Sequence, residues 1–268
     1  MAARRVVKRE RRESASVRAM TIRPAFFRSA LVAGLLSILA GCGPMLPGPL
    51  RPGPLPSAPG RPEAPLVGGL IDRPIDGATR SAVLRESTDL TRCMAELTAA
   101  RVMFSPTPDR IDSPVCVQVE AGLLGADMGT VARMSPAQPA MTCRLALAVS
   151  VWRRQSVEPA AREILGSDVV QIDHFGAYAC RNVNNGVGSA RVSAHANAAA
   201  LDVAGVRLRD GRRIVLTEDW RGDGPEARFL RRIRDDACQI FGTVLSPDYN
   251  AVHHDHLHLE ATDTRFCR

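Results

Sequence analysis

The stretch LDVAGVRLRDGRRIVLT, residues 201–217, decides the fold class. Leu201 to Leu208 and Arg212 to Thr217 are rich in branched apolar residues, the composition of strands. Asp210-Gly211 lies between them, and both residue types tolerate positive φ, so the stretch reads as a β-hairpin. Downstream, Pro225 opens a helix to about Phe241, with Phe229, Leu230, Ile233, Ala237 and Ile240 as its buried stripe. His256 to Glu260 alternates and reads as a last strand. Upstream, Val169 to Ile172 and Ala177 to Cys180 are short strand candidates. Ser87 or Thr88 caps a helix running to about Ala100, and Met141 to Trp152 reads as another. Helices preceding a small antiparallel sheet give an α+β domain.

The hairpin is flanked by unusual chemistry. All six histidines follow residue 173, and four fall in HHDHLH, residues 253–258. Ser193-Ala194-His195 precedes Asp202 by seven residues from the histidine. Imidazole and carboxylate are first-rank zinc ligands. On a strand His256 and His258 face the same side. Two histidines and one carboxylate would leave a fourth zinc position open for water, the arrangement of catalytic zinc. Asp255 is the nearest candidate base and Glu260 the reserve. His174 stands outside the pattern, and Asn197 and Asn250 read as loop residues.

The rest of the chain reads as packaging and address. Of 268 residues, 45% are hydrophobic but only 4% aromatic, so the core is aliphatic. The net charge of +7 is carried by residues 1–41, with nine basic and two acidic side chains. The remainder of the 35 basic and 28 acidic residues balances at 26 each, which removes the argument for a nucleic-acid partner. Residues 1–41 read as a signal peptide, with Arg23 and Arg28 before the apolar run Leu31 to Ala40, or with Met20 as the start. Leu39-Ala40-Gly41-Cys42 resembles a lipobox, which implies acylation at Cys42 and export to the envelope, with the outer membrane facing the periplasm as the expected place. Residues 42–66 form a tether holding nine of the 19 prolines, able to reach roughly 70 Å. Residues 67–268 are the expected domain. Its six cysteines, Cys93, Cys116, Cys143, Cys180, Cys238 and Cys267, argue for disulfides in an exported chain, and their spacing does not choose the pairing.

Taken together, SAHANAAALD (193–202) and HHDHLH (253–258) resemble the metal motif of the zinc D-alanyl-D-alanine carboxypeptidases, murein endopeptidases and the hedgehog zinc domain. Tyr178-Ala-Cys-Arg181, the hairpin, the helix ending at Ala237-Cys238 and TVLSPDYN (243–250) resemble the bacterial extensin-like C-terminal family over roughly residues 85–268. The resemblance implies Zn²⁺ held by His195, Asp202 and His258. It implies Asp255 and His256 as catalytic groups, with Arg181 able to hold a substrate carboxylate, polarise a carbonyl or form a structural ion pair. Ser193 and His253 join Arg181 as candidate contacts to peptidoglycan peptides. The function implied is hydrolysis of stem peptides or cross-links; a non-catalytic zinc-containing wall-binding lipoprotein is the alternative. One departure concerns geometry: the usual glycine three residues after the first ligand is Ala198, which is acceptable there at negative φ.

Overall fold

The computed structural model describes residues 69–186 and 190–268. The expected signal peptide, the lipidation site Cys42 and the whole tether lie outside them. Among the described residues no helix is long and apolar enough to cross a membrane.

Helix α1 spans Thr79–Glu86 and α2 spans Leu90–Ala99. The cap of α2 is Asp89, whose carboxylate accepts from Arg92 N at 2.9 Å. Neither Ser87 nor Thr88 takes that place: Ser87 is spent on the end of α1, its hydroxyl donating to Val83 O at 2.7 Å. A region that gave no clear sequence signal then forms six strands: β1 (Val102–Pro106), β2 (Arg110–Ser113), β3 (Cys116–Gln118), β4 (Ala121–Asp127), β5 (Arg133–Ser135) and β6 (Ala140–Thr142). Strands β1, β4 and β6 make a three-stranded sheet, and β2–β3 is a separate hairpin.

Helix α3 (Cys143–Trp152) starts two residues later than expected because Thr142 is extended and its hydroxyl accepts from Leu145 N. It continues through a π-wound turn, the short α4 (Glu158–Ala160) and a second π-wound turn to Gly166, which closes the run at φ 67°. Strand β7 runs Val169–Gly176, four residues beyond the expected end. Ala177 to Cys180, expected as a strand, belongs to no sheet. Strands β8 (Ala200–Leu208) and β9 (Arg213–Val215) form the expected hairpin. Its turn is longer than two residues: Gly211 N donates to Leu208 O, so Arg209-Asp210 are the central pair and Gly211, at φ 93°, follows them. After α5 (Leu216–Asp219), α6 spans Pro225–Ala237, shorter than read, and buries Phe229, Leu230, Ile233 and Ala237 as expected. Trp152 Nε1 donates to Ile233 O at 2.8 Å and locks α3 to α6. Strands β10 (Thr243–Leu245), β11 (Leu257–Glu260) and β12 (Phe266–Cys267) complete the described chain.

The larger sheet has the order β12-β10-β11-β8-β7-β5, with β9 also on β8. The α+β class is as read, but the expected small antiparallel sheet is a seven-stranded mixed one, with β5–β7 and β10–β12 parallel. Three disulfides form: Cys93–Cys143, Cys116–Cys180 and Cys238–Cys267. A second polar anchor is internal. Asp127 receives Arg153 Nη2 at 2.7 Å and also bonds Arg154, with Asp127 and Arg153 almost fully buried.

Candidate metal centre

Antiparallel pairing of β8 with β11 places His258 directly opposite Asp202. Facing side chains in such a pair are separated by about 5 Å at Cβ, and His258 Nδ1 reaches Asp202 Oδ1 at 2.8 Å. His195 arrives from the short 3₁₀ turn Ala194–Asn197, capped by Ser193, whose Oγ accepts from His195 N. The turn exits through Ala198 at φ 53°, so the negative φ at which a methyl is readily accepted there is not met. The left-handed residue reverses the chain from the turn into β8, which is the geometry glycine supplies without strain.

His195 Nε2 then lies 3.1 Å from Asp202 Oδ1 and 3.2 Å from His258 Nδ1. A tetrahedral zinc with ligand bonds of about 2.0–2.1 Å has edges of roughly 3.3 Å, so this triangle has the dimensions of one face. The outward nitrogens are tied. His195 Nδ1 donates to Ala177 O at 3.1 Å, and His258 Nε2 donates to Glu260 Oε1 at 2.9 Å. Outer partners of this kind fix the tautomer and ring orientation of metal-ligating histidines. The donor set therefore suits a divalent cation such as zinc. Glu260, the reserve base of the sequence reading, is occupied instead in holding His258.

Without metal the cluster stores a proton. Burial would push Asp202 up, but hydrogen bonds from His195 and His258 hold its carboxyl far below the usual range. Burial would likewise lower His258, yet the bonds to Asp202 and Glu260 raise it to about 9.

A second set converges on the same histidine: His253, His256 and His258. His253 Nδ1 donates to Asn250 Oδ1 at 2.7 Å, and burial followed by the neighbouring His256 and His258 lowers its pKa to about 4. Asn250 also caps the turn Ala251–His253, a role that its spacing of three residues before His253 signals and that a loop reading misses. His256 Nδ1 donates to Asp255 Oδ1 at 2.7 Å, and its Nε2 points back toward Asp202 Oδ1 at 3.5 Å. Asp255 thus lies behind His256. Arg181 Nη2 is 3.9 Å from Asp202 Oδ2, a loose pair that leaves its guanidinium in the cleft wall.

That cleft has a volume of about 610 Å³. It is lined by His253, His256 and His258, by Arg181, Arg191 and Ser193, and by the edge-to-face pair Tyr249–Phe266. Tyr249, Phe266 and Arg191 were not singled out in the sequence because only the folded strands bring them to the histidines. His174 sits elsewhere, its Nε2 donating to Pro136 O at 2.8 Å.

No curated protein and no solved structure matches the chain. Residues 91–268 match the family described as Extensin-like protein C-terminus, spanning Cys93 to Cys267 and every cluster residue named above. The chain belongs to the extensin-like C-terminal family.

Proposed function

We propose that this protein is a zinc-dependent hydrolase that cleaves peptide bonds in peptidoglycan stem peptides or cross-links. The observation that carries the reading is the triangle of His195 Nε2, Asp202 Oδ1 and His258 Nδ1, with outer partners on both histidines and with His258 lining a cleft. The motif resemblance to zinc D-alanyl-D-alanine carboxypeptidases and murein endopeptidases points to the substrate. Zinc held there would polarise a carbonyl and acidify water.

The chain's own groups divide the remaining work. His256 directs Nε2 toward Asp202 of the triangle while Asp255 holds its Nδ1, the pairing that orients a general base. His256 takes the proton from the attacking water and returns it to the leaving amine. His253, held neutral with its Nδ1 proton on Asn250, offers an unprotonated Nε2 that would accept a hydrogen bond from the substrate. Arg181 lines the cleft, and a charge-assisted bond from it would orient a substrate carboxylate or carbonyl oxygen. Acylation at Cys42 and the Pro-rich tether would place the domain within reach of the wall.

Digestion of purified peptidoglycan by the zinc-loaded full-length chain, with mass analysis of released fragments, tests the reading. New free termini that vanish in Asp255→Ala and His256→Ala support the hydrolase and identify the bond. Tight zinc binding with retention on wall material and no new termini would replace it with the wall-binding lipoprotein.

A further inference from the structure

The three disulfides hold different things. Cys238–Cys267 joins the end of α6 to β12, two regular elements. Cys116–Cys180 joins the hairpin β2–β3 to residues 177–183, a segment with no sheet ladder of its own.

That irregular segment wraps the first metal ligand. Ala177 O accepts from His195 Nδ1, Ala179 N donates to His195 O at 3.1 Å, and Arg181 O accepts from Ser193 N at 3.2 Å. Cys180 lies between the last two contacts. The hairpin grips the opposite side of the same turn: Val117 N, one residue past Cys116, donates to Asn197 Oδ1 at 3.2 Å. A further tie runs from Tyr178 to Asp112 of β2. Fixing backbone costs conformational entropy at every residue, and here it is offset by these scattered bonds and the single bridge Asn182–Val192 rather than by a continuous ladder. A covalent tie in the middle of the segment confines it even when those bonds break.

We propose that Cys116–Cys180 is a positioning bridge for the metal centre, clamping residues 177–183 and the His195 turn into one unit so that Nε2 of His195 is held in the triangle. The proposal rests on the zinc reading. The bridge acts through Ala177 and Ala179 and touches no substrate. Its loss loosens the outer partner of a ligand, a change that typically costs about 10–100-fold in metal affinity.

The test is zinc affinity of the full-length chain by competition with a chromogenic chelator, at a temperature where circular dichroism shows each variant folded. Cys116→Ser/Cys180→Ser is expected to bind Zn²⁺ at least tenfold more weakly than the parent, while Cys238→Ser/Cys267→Ser binds as the parent does and loses only thermal stability. Parent-like affinity in the first variant, or an equal loss in both, overturns the proposal. Failure of the parent itself to bind Zn²⁺ is a different result and removes the zinc reading along with the bridge's role. Should the first variant not fold, partial reduction of the folded parent, with the opened bridge assigned by alkylation, provides the same comparison and the same two outcomes.

Discussion

Glu260 Oε1 lies 2.9 Å from Nε2 of His258, the nitrogen that faces away from the metal triangle. The carboxylate and the ligand are two residues apart on β11 and so share a face of the strand. Glu260→Ala should therefore weaken Zn²⁺ binding by about 10–100-fold, with Glu260→Gln between the two because its amide oxygen still accepts. Chelator competition reads the change, and unaltered affinity in Glu260→Ala would show that the contact does not orient the ring.

The metal-free chain should respond to pH through the same ring. His258 is raised from 6.5 to about 9 in the folded chain, so its proton stabilises the fold fully below pH 6.5 and that contribution fades as pH climbs through 9. Asp202 acts in the opposite sense: depressed below 3.8, it stabilises above that value and its contribution is lost on acidification. The thermal midpoint of the metal-free protein should fall between pH 6.5 and 9. Zinc affinity should rise over that interval, because the ion displaces the His258 proton. Calorimetry in buffers of different ionisation enthalpy should count close to one proton released near pH 7.

Asp127 supports the fold and is remote in role from the cluster. Asp127→Ala leaves Arg153, 1% exposed at its side chain, without its carboxylate. Breaking a buried ion pair in this way costs about 3–5 kcal/mol, measurable by urea unfolding. The zinc affinity of the folded variant should equal the parent's.

Ala198 is fully buried at φ 53°. Ala198→Gly relieves about 1–2 kcal/mol of left-handed strain and gives up a buried methyl worth about 0.8 kcal/mol together with about 0.4–1 kcal/mol from a freer unfolded chain. A midpoint close to the parent's is expected. Ala198→Val adds bulk and a β-branch in the same conformation and should destabilise by roughly 3 kcal/mol. Equal stability of the two variants would contradict the assigned backbone.

The second half of the domain was more legible than the first. Strand β8, helix α6 and the His-rich strand β11 announce themselves by periodicity, Pro225 and a rare composition. Strands β3, β5 and β6 are three residues each, too short for alternation to register, and β5 pairs with β7, nearly forty residues away in sequence. The histidines and Asp202 were visible as residue types at suggestive spacings. Their partners were harder: Ala177 contributes a backbone carbonyl, which carries no side-chain signal, and Tyr249 with Phe266 meets the cleft only through the β10–β11–β12 arrangement. The Asp255–His256 contact joins neighbours in sequence, yet which of the two faces the cleft depends on the turn preceding β11.

The direct opposition of Asp202 and His258 across β8 and β11 makes strand alignment chemically audible. A slip of one residue would turn every side chain of β11 to the other face of the sheet and send His258 away from Asp202. A misaligned conformer would retain its backbone ladder yet forfeit the metal triangle. Because a ligand that binds only the native alignment stabilises it by mass action, divalent cation would act as a proofreader, drawing the folding population toward the single registration in which the chain can hold it.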